Sequence, residues 1–200
     1  GGSTGTYSLT VDDIATGQTS PTTFTPNSLP FFSWEEAAIQ ISRSGAGWMS
    51  SFGSGAVITY AYRSTAPGAM PDDTSGFSQF SAAQISATEL ALAAWASVAN
   101  ITFVRVNDGG GYSNNATILF SNYSSGAEGA AAFAYLPSSG DTSASSVQGD
   151  VWVNISLPDN VNPLIGNYGF QTILHEIGHA LGLSHPGNYN AGGGGPITYP

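Results

Sequence analysis

The sequence predicts an α+β fold: a twisted, mostly parallel five-stranded mixed sheet, two helices packed on it, and a third helix that carries histidines. Three observations point there. Two capping boxes each open a helical stretch. Five short runs rich in β-branched and aromatic residues are separated by Gly-, Ser- and Asn-rich loops. Near the C-terminal end, apolar residues recur at helical spacing around the histidines.

The first 30 residues are rich in Ser, Thr, Gly and Pro with no sustained period, and read as an irregular arm. Ser33 then caps a helix, with Glu36 three residues on, and Gly45 ends it after Ser44. Ala56–Arg63 reads as a strand. Ser81 and Gln84 open a second, longer helix whose buried stripe is expected at Ile85, Leu92, Trp95 and Val98. Strands are expected at Ile101–Val106, Thr117–Tyr123, Ala130–Leu136 and Asp150–Ser156. A third helix runs from Tyr168 to Leu181, with Ile173, Leu174, Ile177 and Leu181 on its apolar side. Residues 31–200 thus form one domain.

Composition excludes several functions. Only 8% of residues are charged, and the formal net charge is −10 with no lysine and the three arginines Arg43, Arg63 and Arg105. Such a chain has little with which to neutralise phosphates, so nucleic-acid binding is excluded. No apolar run approaches the roughly 20 residues of a membrane-spanning helix. Cysteine is absent, which removes disulfides and thiolate metal sites. A surface built from Ser, Thr, Asn, Gln and Gly is of an extracellular style, and secretion is expected.

All three histidines fall in one window, His175-Glu176-Ile177-Gly178-His179-Ala180-Leu181-Gly182-Leu183-Ser184-His185. On a helix, His175 and His179 stand one above the other on one face, close enough to grip one ion. Glu176 lies beside them and can reach a water without being a ligand. His185 could share that ion only if the chain turned back, because a continued helix would carry it about 15 Å along the axis. Gly182 supplies the turn and Pro186 forbids renewed helix. The spacing HExxHxxGxxH is the extended zinc pattern, with Zn2+ as the expected cofactor.

The stretch His175–Gly193 resembles the zinc-binding segment of the serralysins, bacterial secreted metzincin proteases, including Pro186 after the third histidine. Ala131–Pro137 resembles the family's upper cleft strand, and Asn167-Tyr168-Gly169 precedes the helix as it does there. The helix from Ser33 to Trp48 and the segment Gly76–Ser81 are similar too. The resemblance implies a zinc-dependent endopeptidase that hydrolyses peptide bonds of extracellular proteins, with Glu176 as general base and acid. It also implies that Ala132, Phe133, Ala134 and Tyr135 bind the substrate backbone. The family's methionine turn, its following tyrosine and its calcium-binding repeats have no match. Met49 and Met70 lie upstream, Tyr189 and Tyr199 do not correspond, and Gly192–Gly195 is not such a repeat. The expectation is therefore the N-terminal part of a longer enzyme, residues 31–200 being a catalytic domain incomplete at its C-terminal end, with Ca2+ bound only in the absent repeats. Expected partners are polypeptide substrates and the C-terminal remainder of the protease or a protein inhibitor. The competing reading is a zinc-binding fragment with little or no activity.

Overall fold

The computed structural model describes residues 7–12 and 19–24 as backbone, and residues 33–49, 51, 54–107, 110–138 and 147–187 with their side chains. The chain divides into two units, residues 1–39 and 40–200. The boundary between these units falls inside the first helix.

In the first unit, β1 (Tyr7–Asp12) and β2 (Thr19–Phe24) pair antiparallel, with Tyr7 opposite Phe24 and Asp12 opposite Thr19. The arm expected to be irregular therefore contains a two-stranded ribbon. Strand β1 alternates Tyr7, Leu9 and Val11 with Ser8, Thr10 and Asp12, a pattern the reading of the arm passed over, whereas β2 lacks apolar alternation and its Pro21 argues against a strand except at an edge. The helix α1 (Trp34–Ile41) follows. Its capping box is formed: Glu36 N donates to Ser33 Oγ at 3.2 Å, and Ser33 N donates to Glu36 Oε2 at 2.8 Å. The helix ends at Ile41, and a turn through Ser44 leads to Gly45 at φ 64°.

The second unit is built on the expected sheet. Its strands are β3 (Ala56–Tyr62), β4 (Ile101–Arg105), β5 (Ile118–Tyr123), β6 (Ala132–Ala134) and β7 (Val151–Asn154), in the order β4-β3-β5-β7-β6. The first four in that order run parallel, and β6 runs antiparallel to β7 at the edge. Every residue of β5 and β7 is buried, as expected of parallel strands covered on both faces.

The long helix α2 (Ala82–Val98) begins with the expected capping box. Gln84 N donates to Ser81 Oγ, and Ser81 N donates to Gln84 Oε1. Its buried residues are Gln84, Ala87, Thr88, Ala91 and Leu92, with Ile85 and Trp95 packed against the core. Val98 is 78% exposed, contrary to the expected stripe. Small residues, with Leu92, form most of the contact face, which allows close packing, chiefly against the last long helix of the chain (residues 168–180). Tyr62, Phe80 and Phe120 meet beneath it with centroids 5.6 to 5.9 Å apart.

Two more helices complete the unit, α3 (Pro158–Val161) and α4 (Tyr168–Ala180). The short α3 has Pro158 in its first turn, the position where a missing N–H costs nothing. A Cβ on Gly169 would lie 2.0 Å from Asp159 O, so α4 approaches α3 only as glycine permits. Trp95 Nε1 donates to Leu174 O at 2.9 Å and ties α2 to α4. Ile173, Ile177 and Ala180 are fully buried against the sheet, leaving the opposite side of α4 to the histidines.

Candidate metal centre

Asn167 caps α4, its Oδ1 accepting from Phe170 N at 3.0 Å. At the other end, Gly182 N donates to His179 O and Leu183 N donates to Gly178 O, closing the helix in a Schellman turn. Gly182 sits at φ 107°, and a Cβ there would lie 2.2 Å from Ala46 O. Both the left-handed backbone and the close approach require glycine.

The reversal brings His185 back over the helix. The Nε2 atoms of His175 and His179 are 3.0 Å apart, those of His175 and His185 3.0 Å, and those of His179 and His185 3.1 Å. A tetrahedral ion with bonds of about 2.0–2.1 Å spaces its ligands about 3.3–3.4 Å apart, so three nitrogens at this separation suit a shared cation. Among the described residues this is the group of His, Cys, Asp or Glu side chains that converges in such a way. Burial and the neighbouring rings of His179 and His185 lower the His175 pKa to about 4. Burial lowers that of His179 as well. Both rings thus stay neutral at ordinary pH, the form that can donate a lone pair.

Glu176 is 6% exposed, and its Oε2 atom is buried without a hydrogen-bond partner. Burial pushes its pKa up to about 8. An uncompensated buried carboxylate is costly, and a nearby cation or water is what would relieve it. Tyr123 lies close enough to feel that charge: burial and then Glu176 raise its phenol to about 12.

The histidines and Glu176 open onto a cleft of about 1240 Å³, whose other wall includes Ala130 to Ala134. Among the described residues, β6 has β7 on one side and no strand on the other. Asn154 N donates to Ala131 O and Tyr135 N to Asp150 O, so the bonded pairs are residues 131, 133 and 135 with 154, 152 and 150. Ala132 and Ala134 fall between them and present N–H and C=O to the open edge. Tyr135 is placed differently from these two alanines. It lies beyond the strand, its backbone is occupied by Asp150 and Gly149, and its hydroxyl donates to Asp72 Oδ2 at 3.1 Å. Residues Asp72 and Asp73, which the sequence reading did not single out, line the same cleft.

Comparison with known proteins adds an independent line. Residues 74–191 match the family model described as Matrixin, of the M10 peptidases. The chain belongs to this family as a serralysin-type metzincin. It is 43% identical over 180 residues to "Metallopeptidase AprA" of Pseudomonas marginalis, covering 88% of this chain and 36% of that protein. Against "Serralysin C" of Dickeya chrysanthemi the identity is 44% over 182 residues, with 88% and 37% covered. "Serralysin G" of the same organism is 41% identical over 182 residues, with 85% and 36% covered. The chain thus spans a little over a third of the length of these curated relatives.

Metzincin membership implies zinc, and the donor set fits it: three imidazole nitrogens at one point, beside a buried carboxylate oxygen with no partner. No helix among the described residues is long and apolar enough to cross a membrane. Tyr189, Tyr199 and Gly192–Gly195 lie outside the described residues.

Proposed function

We propose that this metzincin chain carries the catalytic residues of a zinc-dependent endopeptidase acting on extracellular polypeptides. The observation that carries the reading is the buried Glu176 carboxyl, its Oε2 atom without a hydrogen-bond partner, beside three converging imidazoles. A site that only stored zinc would have no use for such a group, so catalysis is favoured over the inert-fragment reading. His175, His179 and His185 hold the metal, which when bound supplies a Lewis acid for the scissile carbonyl and lowers the pKa of a water toward about 7.

The protein's own residues do the rest. Glu176 takes the proton of the attacking water and delivers it to the departing amine as the peptide C–N bond breaks. The open edge of β6 takes the substrate backbone as an added strand through the outward N–H and C=O groups of Ala132 and Ala134. Phe133, stacked on Trp152 with centroids 6.4 Å apart, keeps that edge in register. Main-chain recognition of this kind fixes the scissile bond over the metal and leaves side-chain preference loose. Secretion suits the low charge and the polar surface.

The test combines elemental analysis with casein hydrolysis by the purified chain and its Glu176→Gln variant. One zinc per chain in both proteins, with hydrolysis lowered about 10²–10⁴-fold in the variant, is the expected result. Equal hydrolysis by both would remove Glu176 from the mechanism, and hydrolysis insensitive to chelation would remove the metal.

A further inference from the structure

Helix α4 accounts for the placement of His175 and His179, but His185 sits in residues 183–187, which have no regular secondary structure. Side chains and backbone from the end of α1 and the turn after it hold that segment. Ser184 N donates to Ile41 O at 2.6 Å. Gln40 Nε2 donates to Pro186 O at 2.8 Å. Arg43 Nη1 donates to His185 O at 2.6 Å, and Nη2 to Gly187 O at 3.4 Å. Each of four successive residues is therefore tied to the stretch Gln40–Arg43. The guanidinium is itself anchored, since Nη1 also donates to Gln40 O at 2.7 Å. Further along the chain, Trp48 Nε1 donates to Ala180 O at 2.8 Å, which ties the residues after that stretch to the end of α4.

We propose that Arg43, assisted by Gln40, is a positioning residue for the third metal ligand, an inference that rests on the zinc reading above. In this role Arg43, which also lines the cleft, acts on the backbone of the ligand and not on the metal. It spans two carbonyls, those of His185 and Gly187, and so fixes the backbone that aims the His185 ring. Without that bracket the segment samples other conformations, and metal affinity falls by the fraction of time the ring is in place. A cation near a metal ion is electrostatically unfavourable, so the benefit must come from the planar fork that reaches two acceptors together. Lysine, with a point charge on a flexible stem, reproduces it only in part. The residue lies outside the region matched by the family model, residues 74–191.

The test uses the full 200-residue chain as wild type, Arg43→Met, Arg43→Lys and His179→Ala. Zinc affinity is measured by competition with a chromogenic chelator, and the zinc-free forms are unfolded in urea. Arg43→Met is expected to bind zinc about 10–100-fold more weakly than wild type, with Arg43→Lys between them and zinc-free stability nearly equal. Affinities within about twofold across the arginine variants would overturn the proposal, as would a loss matched by an equal loss of zinc-free stability. Should Arg43→Met fail to fold, the lysine variant, which keeps stem and charge, decides on the same criterion. The control separates the two levels. If His179→Ala loses zinc while Arg43→Met keeps it, the positioning role fails alone. If wild type takes up no stoichiometric zinc, the metal reading fails.

Discussion

His179 Nδ1 donates to the carbonyl of Leu183 across 2.6 Å, tying a ring on the last turn of α4 to the chain that reverses after it. A carbonyl has no proton to give, so Nδ1 carries the imidazole hydrogen and Nε2 presents a lone pair toward His175 and His185. Long-range proton–nitrogen NMR of the metal-free chain should therefore show His179 as the Nδ1–H tautomer. An Nε2–H signal would contradict the orientation.

The Leu183 carbonyl is placed by Gly182. Gly182→Ala adds a Cβ that would meet Ala46 O at 2.2 Å, on a backbone at φ 107° that side chains disfavour. A loss of about 2–4 kcal/mol is expected in urea unfolding, since neither obstacle is relieved by a rotamer change. Zinc affinity falls with it, because both the His179 bond and the path to His185 depend on the turn.

Arg63 and Asp150 form a buried ion pair under the cleft wall. The Nη2 atom donates to Asp150 Oδ2 at 2.5 Å, Nε donates to Ser121 Oγ at 3.2 Å, and the guanidinium lies 5.6 Å from the Trp152 ring centroid. Burial nevertheless raises the Asp150 pKa to about 6, outweighing the opposing pull of Arg63. The folded state thus holds this proton more tightly than the unfolded chain, whose carboxyl titrates near 3.9. Stability contributed here falls as pH rises from about 4 to about 6 and is level beyond. Arg63→Met leaves the Asp150 charge unpartnered and should cost about 3–5 kcal/mol near neutral pH. Near pH 4 the carboxyl is protonated in both proteins and the gap should narrow. Urea midpoints at the two pH values measure it, and a gap that widens on acidification would contradict the sign.

Proline at Ala134 tests the open edge. Its N–H points away from β7, so Ala134→Pro removes a donor from the cleft and none from the sheet. Peptide hydrolysis should show KM raised about tenfold, the worth of roughly one hydrogen bond, with stability little changed. An unchanged KM would place the substrate backbone elsewhere.

Five strands and three long helices were legible because their signals are local. The capping residues of Ser33 and Ser81 act within one turn, and β-branched runs bounded by glycine mark the strands. The ribbon of residues 7–12 and 19–24 and the short α3 were not expected: six alternating residues in β1 are a weak signal beside the proline of β2, and α3 has only four residues. Val98 was assigned to the core on spacing alone. A helix stripe says which side is apolar but not how far along the helix its neighbours reach.

The histidine spacing, with Gly182 between, was enough to settle that three imidazoles can meet, because helix geometry and a glycine turn leave one way back. Tertiary structure alone decided what surrounds them: the burial of Glu176 with its Oε2 unpartnered, the free edge at Ala132 and Ala134, and the bracket from Gln40 and Arg43. Each depends on residues about 20 to 150 positions apart in the chain, and no local pattern encodes a contact that folding brings together.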